Sequence, residues 1–134
     1  FFKLTSADPA LSLIFMPRLA APVLQPRLRF PNAAPSAFGP GKAELLRHIA
    51  ATGSIRTAAA ELEMSYNRAW QLVSAMNALF VSPLVTVVRG GGTGGGAALT
   101  TLGEDVLNRY TRMEAAALRA TRVDWAAICR QLHT

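Results

Sequence analysis

Between Gly53 and Asn77 the chain reads GSIRTAAAELEMSYNRAWQLVSAMN, and its hydrogen-bonding side chains fall in a pattern suited to a polar, charged target. Tyr66, Asn67, Arg68, Gln71 and Ser74 follow Ser65 closely and share one side of a helical wheel. The other side carries Ala69, Trp70, Leu72, Val73, Met76 and Leu79, the apolar spacing of an amphipathic helix. Carboxamides, a phenol and a guanidinium near a helix N-terminus are groups that pair with base edges and phosphates. The same groups also suit the solvated face of any amphipathic helix, and both readings stand at this point.

Such a helix needs a partner to hold it. Ser54 is expected to cap a short helix by accepting from an amide two or three residues on. Thr57, Ala58, Ala59 and Ala60 are small, so a second helix axis can approach closely. Leu62 and Met64 then supply apolar plugs around a tight turn, and Ser65 caps the next helix. Arg56 and Thr57 would stand on the supporting helix beside the polar face. Trp70 is expected to anchor the core between helices rather than to stack on bases.

The segment that follows predicts a hairpin. Leu84 to Val88 make a β-branched strand, Gly90 to Gly96 hold six glycines and Thr93, and Ala97 to Thr100 can return as a second strand. Arg89 stands at the base of the tip, where a wing brings it near a phosphate or a minor groove, with Thr93 in the tip itself. Gly90, Gly92 and Gly95 also match GxGxxG, but a phosphate-cradling loop leads directly into a helix. Here Ala97, Ala98 and Leu99 intervene, no Lys-Ser or Lys-Thr pair follows, and nucleotide binding is set aside.

Thr101 and Glu104 satisfy the capping box T-x-x-E. The helix they open continues through Leu102, Val106, Tyr110, Met113 and Ala117, apolar at three- or four-residue spacing. Its length, about 102 to 120, exceeds what a small winged domain needs and predicts a homodimer through this helix. A dimer would set two reading helices about 34 Å apart on neighbouring half-sites.

The chain has 134 residues, with 14 Lys plus Arg against 8 Asp plus Glu and a formal net charge of +6. Nearly all the basic residues are arginine, which suits bidentate contacts to phosphate or guanine. Basic balance alone would also fit an anionic membrane surface. No segment reaches the roughly 18 to 20 apolar residues that span a bilayer. Cys129 is alone, which agrees with a reducing cytoplasm, and His48 and His133 lie too far apart in sequence to suggest a metal pair. Glu61 and Glu63 sit two apart at a helix-turn boundary and diverge, which does not make a general acid and base pair, and Glu104 and Asp105 open the long helix, where they complement its dipole. The chain is expected not to be an enzyme and to hold no cofactor.

The first forty residues are rich in proline and contain a single carboxylate, Asp8. Residues 1–23, including the apolar LSLIFM at 11–16, are expected to be a disordered or arm-like extension and not a signal peptide. Leu24 to Phe30, LQPRLRF, alternates as a strand, with Arg27 and Arg29 on one face.

Leu45, Leu46 and Ile49 in a first helix, Gly53-Ser54-Ile55, Met64-Ser65-Tyr66, Ala69-Trp70, Met76-Asn77, the run Gly94 to Ala97, Leu99-Thr100 and Gly103 come in a specific order. In that order Lys42 to about Tyr110 resembles the DNA-binding domain of the molybdate-responsive ModE-type transcriptional regulators, relatives of the LysR-type winged helix-turn-helix. The resemblance covers a little over half of the chain. It implies a mainly α fold with a small β-hairpin wing, a winged helix-turn-helix over 24–122 with its long C-terminal helix used for dimerisation, and a tail at 123–134. It also implies a dimeric regulator of double-stranded operator DNA, with the Ser65–Leu79 helix in the major groove. Family members carry molybdate in a separate C-terminal β-rich domain, for which Val123 to Thr134 is too short, so no residue here is expected to bind molybdate. A winged-helix module for protein-protein interaction is the alternative.

Overall fold

Two serines set the start of the two central helices. In this computed structural model, which describes residues 21–32, 37–88 and 96–133, Ser54 Oγ accepts from the Thr57 amide at 3.0 Å and Ser65 Oγ accepts from the Arg68 amide at 3.0 Å. Each bond satisfies an amide that the first helical turn leaves without a partner. The helices they open are α2 (Ile55–Glu61) and α3 (Tyr66–Leu79), and α1 (Pro40–Thr52) precedes them. Gly53 ends α1 with φ 70°, a left-handed conformation that glycine adopts without steric penalty. In the turn between α2 and α3, Glu63 also has a positive φ of 56°, so here a residue with a Cβ takes that conformation.

Two antiparallel pairs complete the fold. β1 (Leu28–Arg29) pairs with β2 (Ala37–Phe38), and β3 (Val85–Val88) pairs with β4 (Gly96–Leu99) in the register Val85–Leu99 to Val88–Gly96. The expected N-terminal strand over Leu24–Phe30 is thus only two residues long. Pro26 has no amide to give to a ladder and Pro31 follows directly, which confines pairing to the residues between.

After the hairpin comes α4 (Thr101–Ala120), then α5 (Arg122–Cys129). The N-cap of α4 is Thr100, not Thr101: its Oγ accepts from the Gly103 amide at 2.9 Å and donates to the Pro83 carbonyl at 2.7 Å. Two adjacent threonines both suit a cap, and the Thr100 amide, held by the Leu84 carbonyl at 2.9 Å, decides between them. The stretch expected as a tail begins inside α5, so it is helical as far as Cys129.

The core lies where α1, α3, the hairpin and α4 converge. Phe38, Leu45, Leu46, Ile49, Met76, Leu84 and Tyr110 are fully or almost fully buried. Burying a large apolar side chain contributes about 1.5 to 3 kcal/mol. Phe38 meets Tyr110 edge-on at 5.4 Å and Phe80 at 6.0 Å, which ties β2 to both α4 and the end of α3. Ala58 and Ala59 are buried in the helix-turn-helix contact, as their small size predicts. This is a winged helix-turn-helix with a long C-terminal helix. The expectations for residues 1–20, including LSLIFM, and for Arg89 and Thr93 in the hairpin tip, lie outside the described residues.

Candidate nucleic-acid interface

The polar side of α3 faces outward. Ala69, Val73 and Met76 are buried beneath it, and Tyr66, Asn67, Arg68, Gln71 and Ser74 are all exposed on top, with Ser65 exposed at the cap. Burying the 69/73/76 stripe forces the residues on the other side of the wheel outward together. α3 contains no carboxylate. A face of hydrogen-bonding groups with one guanidinium and no negative charge on its own helix suits a polyanion with donor and acceptor edges.

The supporting helix contributes to the same edge. Arg56 and Thr57 are exposed at the start of α2, and the Arg56 guanidinium lies 4.2 Å from the centre of the Tyr66 ring. Tyr66 in turn meets Trp70 edge-on at 6.1 Å. Trp70 is half-buried against the core, so the chain Trp70, Tyr66, Arg56 orients a cation from the inside out. Nothing in the sequence pattern pairs Arg56 with Tyr66.

Arg68 has a different neighbourhood from Asn67 and Gln71. It lines a pocket of about 350 Å³ together with Arg27, Lys42, Met64, Leu72 and the start of α1. The sequence groups Arg68 with the base-reading side chains, whereas in the fold it shares a recess with two other cations. Lys42 donates to the Ala37 carbonyl at 2.6 Å. Burial lowers its pKa below the usual lysine value, and Arg27 and Arg68 push it the same way. The sequence gives no warning of this cluster, because its three members come from separate elements.

Other residues hold the face in place. Asn77, at the far end of α3, accepts through its carbonyl oxygen from the Leu84 amide (2.9 Å) and the Val85 amide (3.1 Å) and donates to the Val85 carbonyl (3.1 Å). β3 is thereby fixed to α3. The Ala97 amide donates to the Gly53 carbonyl at 2.8 Å, which fixes β4 to the turn after α1. Gly103 lies so close to Leu84 that an added Cβ would fall 2.1 Å from its carbonyl oxygen. Tyr110 donates to the Pro26 carbonyl at 2.6 Å and so anchors the segment leading into β1, which carries Arg27.

Trp70 serves as a core anchor, as expected. Arg47 does not join the face: it bonds Glu114 at 2.7 Å, Thr111 at 2.9 Å and Glu44, joining α1 to α4. His48 Nδ1 lies 2.6 Å from Glu61, an α1 to α2 contact. Among the described residues no helix is long and apolar enough to cross a membrane.

Fold and face together define the winged helix-turn-helix class. No protein-family model matches the sequence. The chain is 46% identical over 78 residues to the molybdenum-pterin-binding protein MopB of Rhodobacter capsulatus, covering 58% of this chain and 29% of that protein. It is 41% identical over 75 residues to the transcriptional regulator ModE of Haemophilus influenzae, covering 56% of this chain and 29% of that one. It is also 41% identical over 71 residues to the DNA-binding transcriptional dual regulator ModE of Escherichia coli K12, covering 53% of this chain and 27% of that one. Homologues of the chain are therefore ModE transcriptional regulators and Mop molybdenum-pterin-binding proteins, and the matched stretch fits a ModE-type domain. The chain spans about a third of the length of these relatives or less. Their names describe regulators and binding proteins.

Proposed function

We propose that the chain is a sequence-specific DNA-binding domain of the ModE type, acting in the cytoplasm on double-stranded operator DNA, with α3 as the recognition helix. The observation that carries this reading is the shared outward exposure of Tyr66, Asn67, Gln71 and Ser74 on a helix whose opposite side is buried. Asn67 and Gln71 are the base-reading candidates, since a carboxamide pairs bidentately with adenine. Arg56 and Thr57 flank them from α2, and Arg89 and Thr93 belong to the segment that joins β3 to β4. The chain works as a homodimer through α4, where Met113 and Leu118 remain 42% and 45% exposed beyond the buried Tyr110. Molybdate is assigned to no residue here.

The test is fluorescence anisotropy with the duplex upstream of the chain's own coding sequence, at two salt concentrations. If a dimer neutralises about six to ten phosphates, affinity falls by about 10³ to 10⁵ between 50 and 200 mM salt. Affinity that does not change with salt refutes the reading. The exposed apolar residues Val123, Ile128 and Leu132 at the C-terminal end favour a second reading, a winged-helix module that binds another protein, and a protein that binds no duplex at either salt concentration is its expected signature.

A further inference from the structure

The pocket between β1, the start of α1 and α3 brings together three cations that gain nothing from one another. Arg27 comes from β1's leading edge, Lys42 from the first turn of α1 and Arg68 from the first turn of α3. Among the described residues no carboxylate lines the recess and none of the three cations forms a salt bridge. Elsewhere in the molecule, Arg47 and Arg109 each face carboxylates at close range. Like charges gathered without a counter-charge oppose folding; burial first, and then Arg27 and Arg68, hold the Lys42 pKa below the usual lysine value. Lys42 is nevertheless held in place by the Ala37 carbonyl, and Arg68 is set by the Ser65 cap of its helix. The recess, about 350 Å³, has room for a tetrahedral oxyanion.

We infer that Arg27, Lys42 and Arg68 form an oxyanion site whose occupant is a backbone phosphate of the duplex, gripped beside the groove that α3 enters. The choice of occupant rests on the DNA-binding reading, while the oxyanion chemistry stands on the pocket. Arg68 belongs to α3 and faces the recess, so a strand that lies along the outward face of that helix carries its phosphates past the pocket. The site sets position and register rather than sequence. Arg68 thereby moves from the base-reading group to the backbone-holding group.

Two arms test this on the full chain, using Lys42→Met and Arg27→Gln, which keep most of the apolar stems in place. In the first, inorganic phosphate is titrated against the labelled protein and the Gly41 and Lys42 amides are followed by NMR. Shifts in the wild type that vanish in both variants are expected, and no shift in the wild type overturns the site. In the second, duplex affinity is measured against salt. Each variant is expected to weaken binding about equally for every operator base substitution and to reduce the salt slope by about 1. Phosphate shifts with an unchanged duplex slope overturn the DNA occupant in favour of a free oxyanion, as does a loss confined to one base pair. A wild type that binds phosphate but no duplex defeats the DNA-binding reading and the occupant together, and leaves the oxyanion site standing. Thermal midpoints of the variants are expected to equal or exceed that of the wild type, since repulsion is relieved. A large fall in midpoint overturns the proposal by showing that the three residues hold the fold.

Discussion

Where α1 meets α4, Arg47 reaches Glu44, Glu114 and Thr111, and at the end of α3 the Asn77 side chain makes three bonds to the backbone of Leu84 and Val85. On the outward side of α3, by contrast, the Asn67, Gln71 and Ser74 side chains are exposed and make no hydrogen bond among the described residues. Both regions are rich in polar groups, and they differ in whether those groups are satisfied within the chain. A side chain whose polar groups are all engaged in the framework has none left for a ligand, whereas one left in solvent costs the fold little and is free to bind. Charge and hydrogen-bonding capacity counted along the sequence do not separate the two kinds.

The contrast can be broken most sharply at the framework. Gly103→Ala drives a Cβ into the Leu84 carbonyl, whose backbone cannot easily yield, and is expected to lower stability by about 3 kcal/mol or more in chemical denaturation. A wild-type midpoint would mean that α4 and the segment at Leu84 are loosely joined. Asn77→Ala leaves two amides without their acceptor and is expected to cost about 2 kcal/mol. Tyr110→Phe removes the bond to the Pro26 carbonyl and is expected to cost about 1 kcal/mol, with increased amide exchange in the β1 segment. Gln71→Ala should move stability by less than about 0.5 kcal/mol while weakening duplex binding by about 1 to 3 kcal/mol, the worth of one bidentate pair with a base. A Gln71 variant that unfolds readily would place that side chain with the framework.

The smallest expected effect concerns pH. The folded state holds the Lys42 proton less tightly than the ordinary lysine value of 10.5, so between its lowered pKa and 10.5 the unfolded chain binds more protons. Stability therefore rises with pH across that window, and Lys42→Met flattens the rise. Denaturation midpoints of wild type and variant in alkaline buffers measure it.

Local features were legible in the sequence. Ser54 and Ser65 cap as expected because a cap depends on three or four consecutive residues, and the outward face of α3 follows from its periodicity. Features made by distant residues were not. Arg27, Lys42 and Arg68 meet only after three elements pack, and Arg56 finds Tyr66 only across the turn. Glu63 carries no sign that it will adopt a positive φ, since glutamate rarely does. The choice between Thr100 and Thr101 rests on the contact of one backbone amide with Leu84, which no local pattern encodes.

The two strands of the hairpin are each moored to something other than the tip that joins them. β3 hangs from Asn77 and β4 from the Gly53 carbonyl, with four paired positions between the strands. Residues 89–95 can consequently be lengthened or shortened without shifting α3 or α4. Doubling such a connection adds only about 0.6 kcal/mol of closure entropy. Selection can therefore retune the reach of this segment while the rest of the scaffold stays as it is.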